Sequence, residues 1–364
     1  MNILFSSLSG HDQTQSQHYL SIMRRLGHKV FNFSVPASLD DPLRGFLAEP
    51  GFSPGINLET IIRLAGFEPD LYLYIEPKGL IPRGLGKAPF PTACILCDTH
   101  TWLEARQKQA LFFDHVFLYH CNYLRFFNEH PDGYVHWQAY ACDLEIFRPV
   151  GKERDLDVAF IGQLHPQTER AALIARLCDL YKMNEQCFYS QREIPSIYSR
   201  AKIVLNMPLA DDLNFRTFEA MSCGAMLLTR RVNNGQELLF EEGKHFAAFD
   251  DEKELFDKVA YYLAHPEERE LIATAGLAEI QRHHHLEQRV IEMLGAVQQK
   301  PEQVAPIRQM SPAQIDRQYA WLYEYWRLVE PGLDLASEAR RAGRPWLPLL
   351  LSAIRSVLRK IKHL

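Results

Sequence analysis

The sequence predicts an α/β protein of two doubly wound domains, followed by a helical C-terminal extension. The chain has 364 residues, which is long for one compact core. Short apolar runs alternate with helical patterns in two successive stretches, one on each side of residue 150. The strand pattern stops near Lys300, and helical periodicity continues alone. We therefore expect domains at 1–149 and 155–300, and helices at 301–364.

The first half opens as a strand, a loop, a helix and a second strand. Asn2–Phe5 is apolar, a helical pattern runs from about residue 13 to 26, and Gly27 suits a helix C-cap. Uninterrupted apolar runs, typical of parallel strands that are covered on both faces, predict further strands at 30–33, 71–75, 93–97 and 116–119. The segment 147–155 carries Pro149, Gly151 and several charges, which favours an inter-domain linker.

The second half repeats this pattern. A strand from Leu156 ends at Gly162, and strands are predicted at 202–206 and 225–229. Helical spacing covers 169–180 and 214–222, with Gly224 after the second helix. Two consecutive doubly wound domains are the simplest interpretation of both halves.

Composition narrows the function classes. The formal net charge is -5, so no overall basic field favours nucleic acid. Seven scattered cysteines fit a reducing compartment, and the Cys94/Cys97 pair lies in an apolar run that indicates a buried strand rather than a metal site. Neither a signal-peptide pattern nor a membrane-spanning apolar run is present. We expect a cytoplasmic protein.

The strongest chemical pattern follows the strand that ends at Asn206. Asn214 can cap a helix whose N-terminal N–H groups attract phosphate, and Arg216 in the first turn can bind diphosphate oxygens. Glu219 lies on the same face and can accept both hydroxyls of a ribose. The alternative is a simple surface ion pair between Arg216 and Glu219. The junction of a parallel strand and a helix is where α/β ligands bind, which favours the binding site.

From Tyr198 to Ala225, and over most of 155–295, the sequence resembles the C-terminal domain of family-4-type glycosyltransferases, in particular their CgeB-like branch, with a looser likeness in the N-terminal half. The shared pattern is a tyrosine-led helix, a strand ending in Asn, and an Asn-x-Arg-x-Phe-Glu-Ala helix followed by Gly. The resemblance implies a GT-B fold, in which two Rossmann-like domains face each other across a cleft. It also implies a nucleotide-sugar donor held by the C-terminal domain. The sequence does not identify the acceptor, for which a glycan, a lipid-linked saccharide or a protein are the candidates.

The resemblance also implies the donor-binding residues. Glu219 matches the second glutamate of the Glu-x7-Glu element, and Asp211 occupies the first position as a shorter carboxylate, for which Asp212 is a possible substitute. The usual Gly-Arg after the first strand is Gly162-Gln163, so Arg216, helped by Arg170 or His165, is expected to carry the diphosphate charge. No metal or other cofactor is expected. The remaining predicted donor-binding residues are Asn206, Asn214 and Thr217.

The N-terminal domain is expected to supply the acceptor side. His11, Asp98 and His100 follow predicted strands, and a histidine beside an aspartate can serve as a general base near neutral pH. Asp98 alternatively caps the helix that follows it. A reaction that retains configuration, as the resemblance suggests, needs no enzymatic base.

Two further motifs have more than one interpretation. His283-His284-His285 invites a metal site, but adjacent helical histidines point in different directions, so a helix end is favoured. The final stretch places Leu347, Leu350, Leu351, Ile354, Leu358 and Ile361 on one face and basic residues on the rest. We favour docking on the body of the protein or on a second subunit, with peripheral membrane contact through 345–364 as the alternative.

Three rival functions have different sequence requirements. A Rossmann dehydrogenase needs a GxGxxG after a strand, and the stretches at Gly10 and Gly162 do not provide it. A nucleotide-sugar-binding module without turnover and a nucleotide-sugar epimerase both stay open, since each is compatible with the same donor site.

Overall fold

The computed structural model describes residues 1–9, 15–33, 35–36, 56–75, 81–151 and 153–361. The chain divides into two compact units, the first formed by Met1–Gln138 with Met293–Leu364 and the second by Ala139–Glu292. The helices after residue 300, expected as a separate extension, therefore belong to the first unit. The segment 147–155, expected as a linker, lies inside the second.

A parallel sheet forms the centre of the first unit. Within the described residues its strands are β1 (Asn2–Ser9), β2 (Lys29–Asn32), β3 (Val35–Pro36), β4 (Leu71–Ile75), β5 (Thr92–Leu96), β6 (His115–Leu118) and β7 (Val135–Trp137). The order is β2-β1-β4-β5-β6-β7, with β3 beside β1, and each of these pairings is parallel. Residues of β4 and β5 are buried throughout, as their uninterrupted apolar sequences predict.

In the described part of the N-terminal half, the α-helices of the first unit are α1 (Gln15–Arg25), α2 (Leu58–Ala65) and α3 (Leu103–Ala110). Asn57 caps α2 by accepting from the Glu59 N–H at 3.2 Å. Gly27 follows α1 with φ of 81°, a left-handed conformation that confirms the predicted C-terminal glycine. Cys94 lies in β5 and Cys97 directly after it, and both are buried free thiols.

The second unit has its own parallel sheet, in the order β11-β10-β9-β8. Its strands are β8 (Leu156–Ala159), β9 (Ala201–Asn206), β10 (Met226–Arg230) and β11 (Ala247–Phe249). Its helices are α4 (Glu169–Leu180), α5 (Ile194–Arg200), α6 (Phe215–Ser222), α7 (Gln236–Leu239), α8 (Glu252–Ala264) and α9 (Pro266–His283). The segment 147–155 is packed here because Arg154 donates to the carbonyls of Ala201 and Gly224.

The chain then returns to the first unit. Helix α10 (Leu286–Gln299) crosses the division, and α11 (Pro312–Tyr325), α12 (Val329–Arg341) and α13 (Leu347–Ile361) follow. Tyr319 of α11 is buried with its ring 4.6 Å from that of Phe112. Buried Asp114 accepts from the Ala305 N–H at 2.7 Å and from Arg308 at 2.9 and 2.8 Å. These contacts explain why residues after 300 do not form a separate body.

Helix α13 docks by a different face from the one its apolar residues suggested. Leu349, Ser352, Ala353 and Ser356 are buried, whereas Leu347, Leu351, Ile354 and Leu358 are exposed. Small side chains let α13 lie close to its neighbours, which a row of leucines on that face does not permit. In the part of the chain that the structure describes, no helix is long and apolar enough to cross a membrane.

Candidate functional site

A cavity of about 710 Å³ opens in the second unit, beside the carboxyl ends of β8 and β9. Its size suits a small-molecule ligand, and its position is the one at which doubly wound sheets bind ligands. The lining residues come from four short stretches of chain: Ile161–His165, Gln186–Tyr189, Ile194 with Tyr198, and Asn214–Arg216 with Glu219.

The junction of β9 and α6 orients the charged residues of this cavity. Asn214 is the N-cap residue of α6, but its side chain does not make the capping hydrogen bond that the sequence suggested. Instead, the amides of Asn206 and Asn214 exchange hydrogen bonds of 3.1 and 3.2 Å. Asn206 also donates to Thr217 at 3.2 Å. Since Asn206 and Thr217 are buried, they support the lining residues from behind.

Arg216 is the central cation of the cavity. Its Nη1 donates to the Asn206 side-chain oxygen at 2.9 Å, and its guanidinium lies 5.3 Å from the centre of the Phe160 ring. A Cβ on Gly162 would stand 2.9 Å from Nη2 of Arg216 and 3.0 Å from Phe160. Glycine at position 162 therefore leaves the space that the guanidinium occupies.

Arg170 lies near Arg216, and Arg230 lies near Arg170. Arg170 contacts the same Phe160 ring at 5.9 Å and donates to the carbonyls of Gln163 and Met207. Burial, followed by the charges of Arg216 and Arg230, lowers the pKa of Arg170 to about 10. Like charges held this close favour an anion between them. Arg230, at the end of β10, also pairs with Glu169 at 2.8 Å.

Acidic residues occupy two different places. Glu219 lines the cavity one turn after Arg216, as predicted. Asp211 is exposed and does not line this cavity; its Oδ1 accepts from the Asn233 N–H at 2.5 Å. That bond joins the loop after β9 to the turn at 233–235, which follows β10. Gln163 and His165 both line the cavity.

Sequence reasoning missed several lining or supporting residues. Phe160 and Arg230 lie at the carboxyl ends of strands, a position that is itself a signal in a doubly wound fold. The stretch Gln186–Tyr189 lies outside any helix or strand and has no motif. Tyr198 is fully buried against the cavity, and this burial raises the pKa of its hydroxyl.

At the carboxyl edge of the sheet of the first unit, two histidines lie close together. Nδ1 of His100 lies 3.1 Å from Nε2 of His120, a fully buried residue that follows β6 and was not predicted. Asp98 adopts φ of 48°, a left-handed conformation that is uncommon outside glycine. It does not cap α3, which begins at Leu103 with Trp102 as its N-cap residue. His11 lies outside the described residues.

The run His283-His284-His285 lies at the end of a helix. Helix α9 ends at His283, and His284 is its C-cap residue. Among the described residues, no group of three or more histidine, cysteine or acidic side chains has the arrangement of a metal site.

The chain is similar to solved glycosyltransferase structures. It aligns with HepE of Anabaena, crystallised with UDP and glucose, at 14% identity and a TM-score of 0.57, over 82% of this chain and 100% of that one. A glycosyltransferase of Rickettsia africae aligns at 11% identity and a TM-score of 0.58, over 82% and 98%. Sucrose-phosphate synthase of Thermosynechococcus elongatus aligns at 14% identity and a TM-score of 0.56, over 82% and 98%.

Comparisons by sequence match a smaller part of the chain than the comparisons by structure. Among curated proteins, none matches the chain significantly. Residues 144–295 match the family model described as "Glycosyl transferase-like". This range covers nearly all of the second unit, including the cavity and its arginines. The chain thus has the GT-B fold with a helical C-terminal region, and residues 144–295 form its glycosyl transferase-like part.

Proposed function

We propose that this protein is a glycosyltransferase that moves a sugar from a nucleoside diphosphate sugar to an acceptor hydroxyl. The observation that carries the proposal is the cavity of the second unit, where Arg216 and Glu219 stand one turn apart and Arg170 lies close by. Guanidinium groups bind diphosphate oxygens in pairs of parallel hydrogen bonds. A carboxylate such as Glu219 accepts the two hydroxyls of a ribose.

A uridine diphosphate hexose is the first donor to test. Its support is the structural similarity to HepE of Anabaena, which has been crystallised with UDP-glucose. The narrower likeness to the CgeB-like branch rests on the sequence pattern around Arg216 and Glu219 alone.

Arg216 and Arg170 have the chemistry that a departing diphosphate requires. Transfer breaks the bond between the anomeric carbon and the diphosphate oxygen, and forms a bond from that carbon to the acceptor oxygen. Negative charge then collects on the departing diphosphate, where positioned guanidinium groups stabilise it. We propose that Arg216 and Arg170 fill this role without a metal ion, and that no further cofactor takes part.

A base must take the proton of the acceptor hydroxyl during transfer. In an inverting reaction, His100 is our candidate base, with His120 holding its ring in position at 3.1 Å. Asp98, two residues earlier in the chain, is a further candidate. His11 is the other candidate from the sequence. In a retaining reaction the departing diphosphate oxygen takes the proton, and no side chain is needed.

We further propose a cytoplasmic role in glycan biosynthesis, with a saccharide, a lipid-linked saccharide or a protein as acceptor.

Two rival functions share the same donor site. A module without turnover would bind the nucleotide and release no product, and an epimerase would change the sugar of the donor without any acceptor.

Product analysis separates these functions. The full chain is incubated with UDP-glucose and other nucleotide sugars, with and without a panel of saccharide acceptors, and the nucleotides are resolved by chromatography. A transferase releases nucleoside diphosphate in an acceptor-dependent way, and Arg216→Ala reduces that release. A new nucleotide sugar formed from the donor alone would instead identify an epimerase. Binding without any product would identify the idle module.

A further inference from the structure

Helix α13 has two faces that differ in chemistry, and only one of them is used for packing. Ser352 on the buried face donates to the Ala320 carbonyl at 3.1 Å and to Glu324 at 2.7 Å. A Cβ on Gly332 of α12 would stand 3.0 Å from Cβ of Ala353, so the two helices approach closely. These small and hydroxyl side chains anchor α13 to α11 and α12.

The opposite face presents an apolar stripe to solvent. Leu347, Leu351, Ile354 and Leu358 are 54%, 48%, 43% and 55% exposed. Their spacing of four, three and four residues places them in one row, which is about 16 Å long at 1.5 Å per residue. Single exposed leucines are ordinary, but a row of them on one helix indicates a surface that another apolar phase covers.

Charge indicates what covers the stripe. Residues 339–364 include seven arginines and lysines and no aspartate or glutamate, in a chain whose net charge is -5. Arg355 and Arg359 flank the stripe and pair with Glu324 at 2.8 and 3.3 Å, yet each side chain stays 54% exposed. Arg340 lies over the ring of Trp346 at 5.2 Å, close to the start of α13.

We propose that α13 lies in the headgroup region of an anionic membrane, with its apolar stripe buried among the acyl chains. An apolar row edged by cations and preceded by a tryptophan is the pattern of an in-plane membrane helix. A second copy of the chain is the less favourable occupant, because joining two such faces brings together cations in excess: beside the stripe, Arg355 and Arg359 share the one carboxylate of Glu324. This surface belongs to the first unit and is independent of nucleotide binding by the second.

Vesicle sedimentation tests the proposal with the full chain. One set of vesicles is neutral phosphatidylcholine, and the other contains roughly one third anionic phosphatidylglycerol. We expect the protein to sediment with the anionic set and to be released at about 1 M salt, where the Debye length is about 3 Å. The double variant Arg340→Gln/Arg341→Gln should weaken partition by roughly fivefold per residue.

The apolar stripe is tested separately. The double variant Leu351→Glu/Leu358→Glu should lower partition at least tenfold, because it places carboxylates where acyl chains are expected. The matched control, Leu180→Glu/Leu271→Glu, changes two leucines of the second unit that are 63% and 72% exposed, and should bind vesicles like the wild type. Both variants alter exposed side chains, so circular dichroism should match the wild type.

Three results would overturn the proposal. They are no binding to anionic vesicles, equal binding to neutral and anionic vesicles, and unchanged binding by Leu351→Glu/Leu358→Glu. Sedimentation equilibrium without lipid adds a fourth: a dimer that this variant dissociates would make a second copy the occupant. Nucleotide binding by the variant is measured alongside, so that failure of the membrane proposal is distinguished from failure of the donor site.

Discussion

At the scale of single residues, His284 has the clearest electrostatic environment. It is buried at the end of α9, and Nη2 of Arg289 lies 3.1 Å from its Nδ1. Because arginine only donates, Nδ1 accepts and the neutral ring carries its proton on Nε2. Burial and then the charge of Arg289 lower the pKa of His284 to about 4.

This lowered pKa predicts a pH dependence of stability. Between about pH 6.5 and pH 4 an unfolded chain protonates this histidine while the folded chain does not, so stability is lost as the pH falls through that window. Wild type should therefore lose more unfolding free energy than His284→Asn between pH 7 and pH 4.5, by on the order of 2 kcal/mol. Urea titrations at both pH values check this, and parallel losses in the two proteins would contradict it.

The sequence could indicate cavity-lining residues where residue type and position along the chain point to the same place. Arg216 and Glu219 could be identified because they open a helix directly after a parallel strand, and both line the cavity. Arg230 and His120 could not be assigned. Arg230 ends β10 whereas Arg170 belongs to α4, and the sequence pattern does not show that these elements come together. His120 lies near His100 because they follow β5 and β6, which are neighbours in the sheet. The capping role predicted for the Asn214 side chain failed because Asn206 offered it a reciprocal amide pair.

At the scale of elements, the contact between α6 and α9 depends on a glycine. A Cβ on Gly276 would stand 2.6 Å from the His245 carbonyl oxygen and 3.1 Å from the sulfur of Met221. Because this oxygen belongs to the backbone, it cannot move aside for an added Cβ as the end of a flexible side chain could. Helix α6 carries Arg216 and Glu219, so this packing also supports the cavity.

Alanine at two glycines tests this contact. Gly276→Ala should destabilise the protein by about 1–3 kcal/mol through overpacking. The control is Gly295→Ala in α10, where an added Cβ would have no atom within 4 Å. This control should stabilise by up to about 1 kcal/mol, because alanine favours helix. Urea unfolding of both variants measures the difference, and equal stabilities would contradict the packing explanation.

Element bounds followed the sequence closely where the pattern was local. The predicted strand at 71–75 and helix at 169–180 agree with β4 and α4 residue by residue. The apolar face of α13 is not the face that docks. Hydrophobicity alone does not reveal that Ser352, Ala353 and Ser356 fit the narrow space beside α11 and α12. Shape complementarity of small residues depends on neighbours that a single helix pattern does not contain.

At the scale of the whole molecule, Asp114 joins distant parts of the chain. It is fully buried and accepts from the N–H and the hydroxyl of Thr92, both at 2.8 Å, besides its bonds to Ala305 and Arg308. This network fixes the segment before α11 to the sheet of the first unit. Such a return over 190 residues depends on non-local contacts, so the sequence predicted C-terminal helices without showing which unit they join.

Removing this carboxylate should loosen the C-terminal helices. Asp114→Ala leaves Arg308, which is only 12% exposed, without its charge partner, and should cost about 3–5 kcal/mol. Thermal unfolding of the variant measures the loss, with the exposed Asp132→Ala as the control. A change of less than about 1 kcal/mol would show that the network does not hold the first unit together.

The most direct test of the donor site is calorimetric titration of the full chain with UDP and with other nucleoside diphosphates. We predict that one of them binds, that Arg216→Ala weakens its affinity roughly 10- to 100-fold, and that Glu219→Gln also weakens it. Glu267→Gln, an exposed carboxylate of α9, should bind like the wild type. If no nucleoside diphosphate binds, or if Arg216→Ala binds as tightly as the wild type, the donor site is not in this cavity.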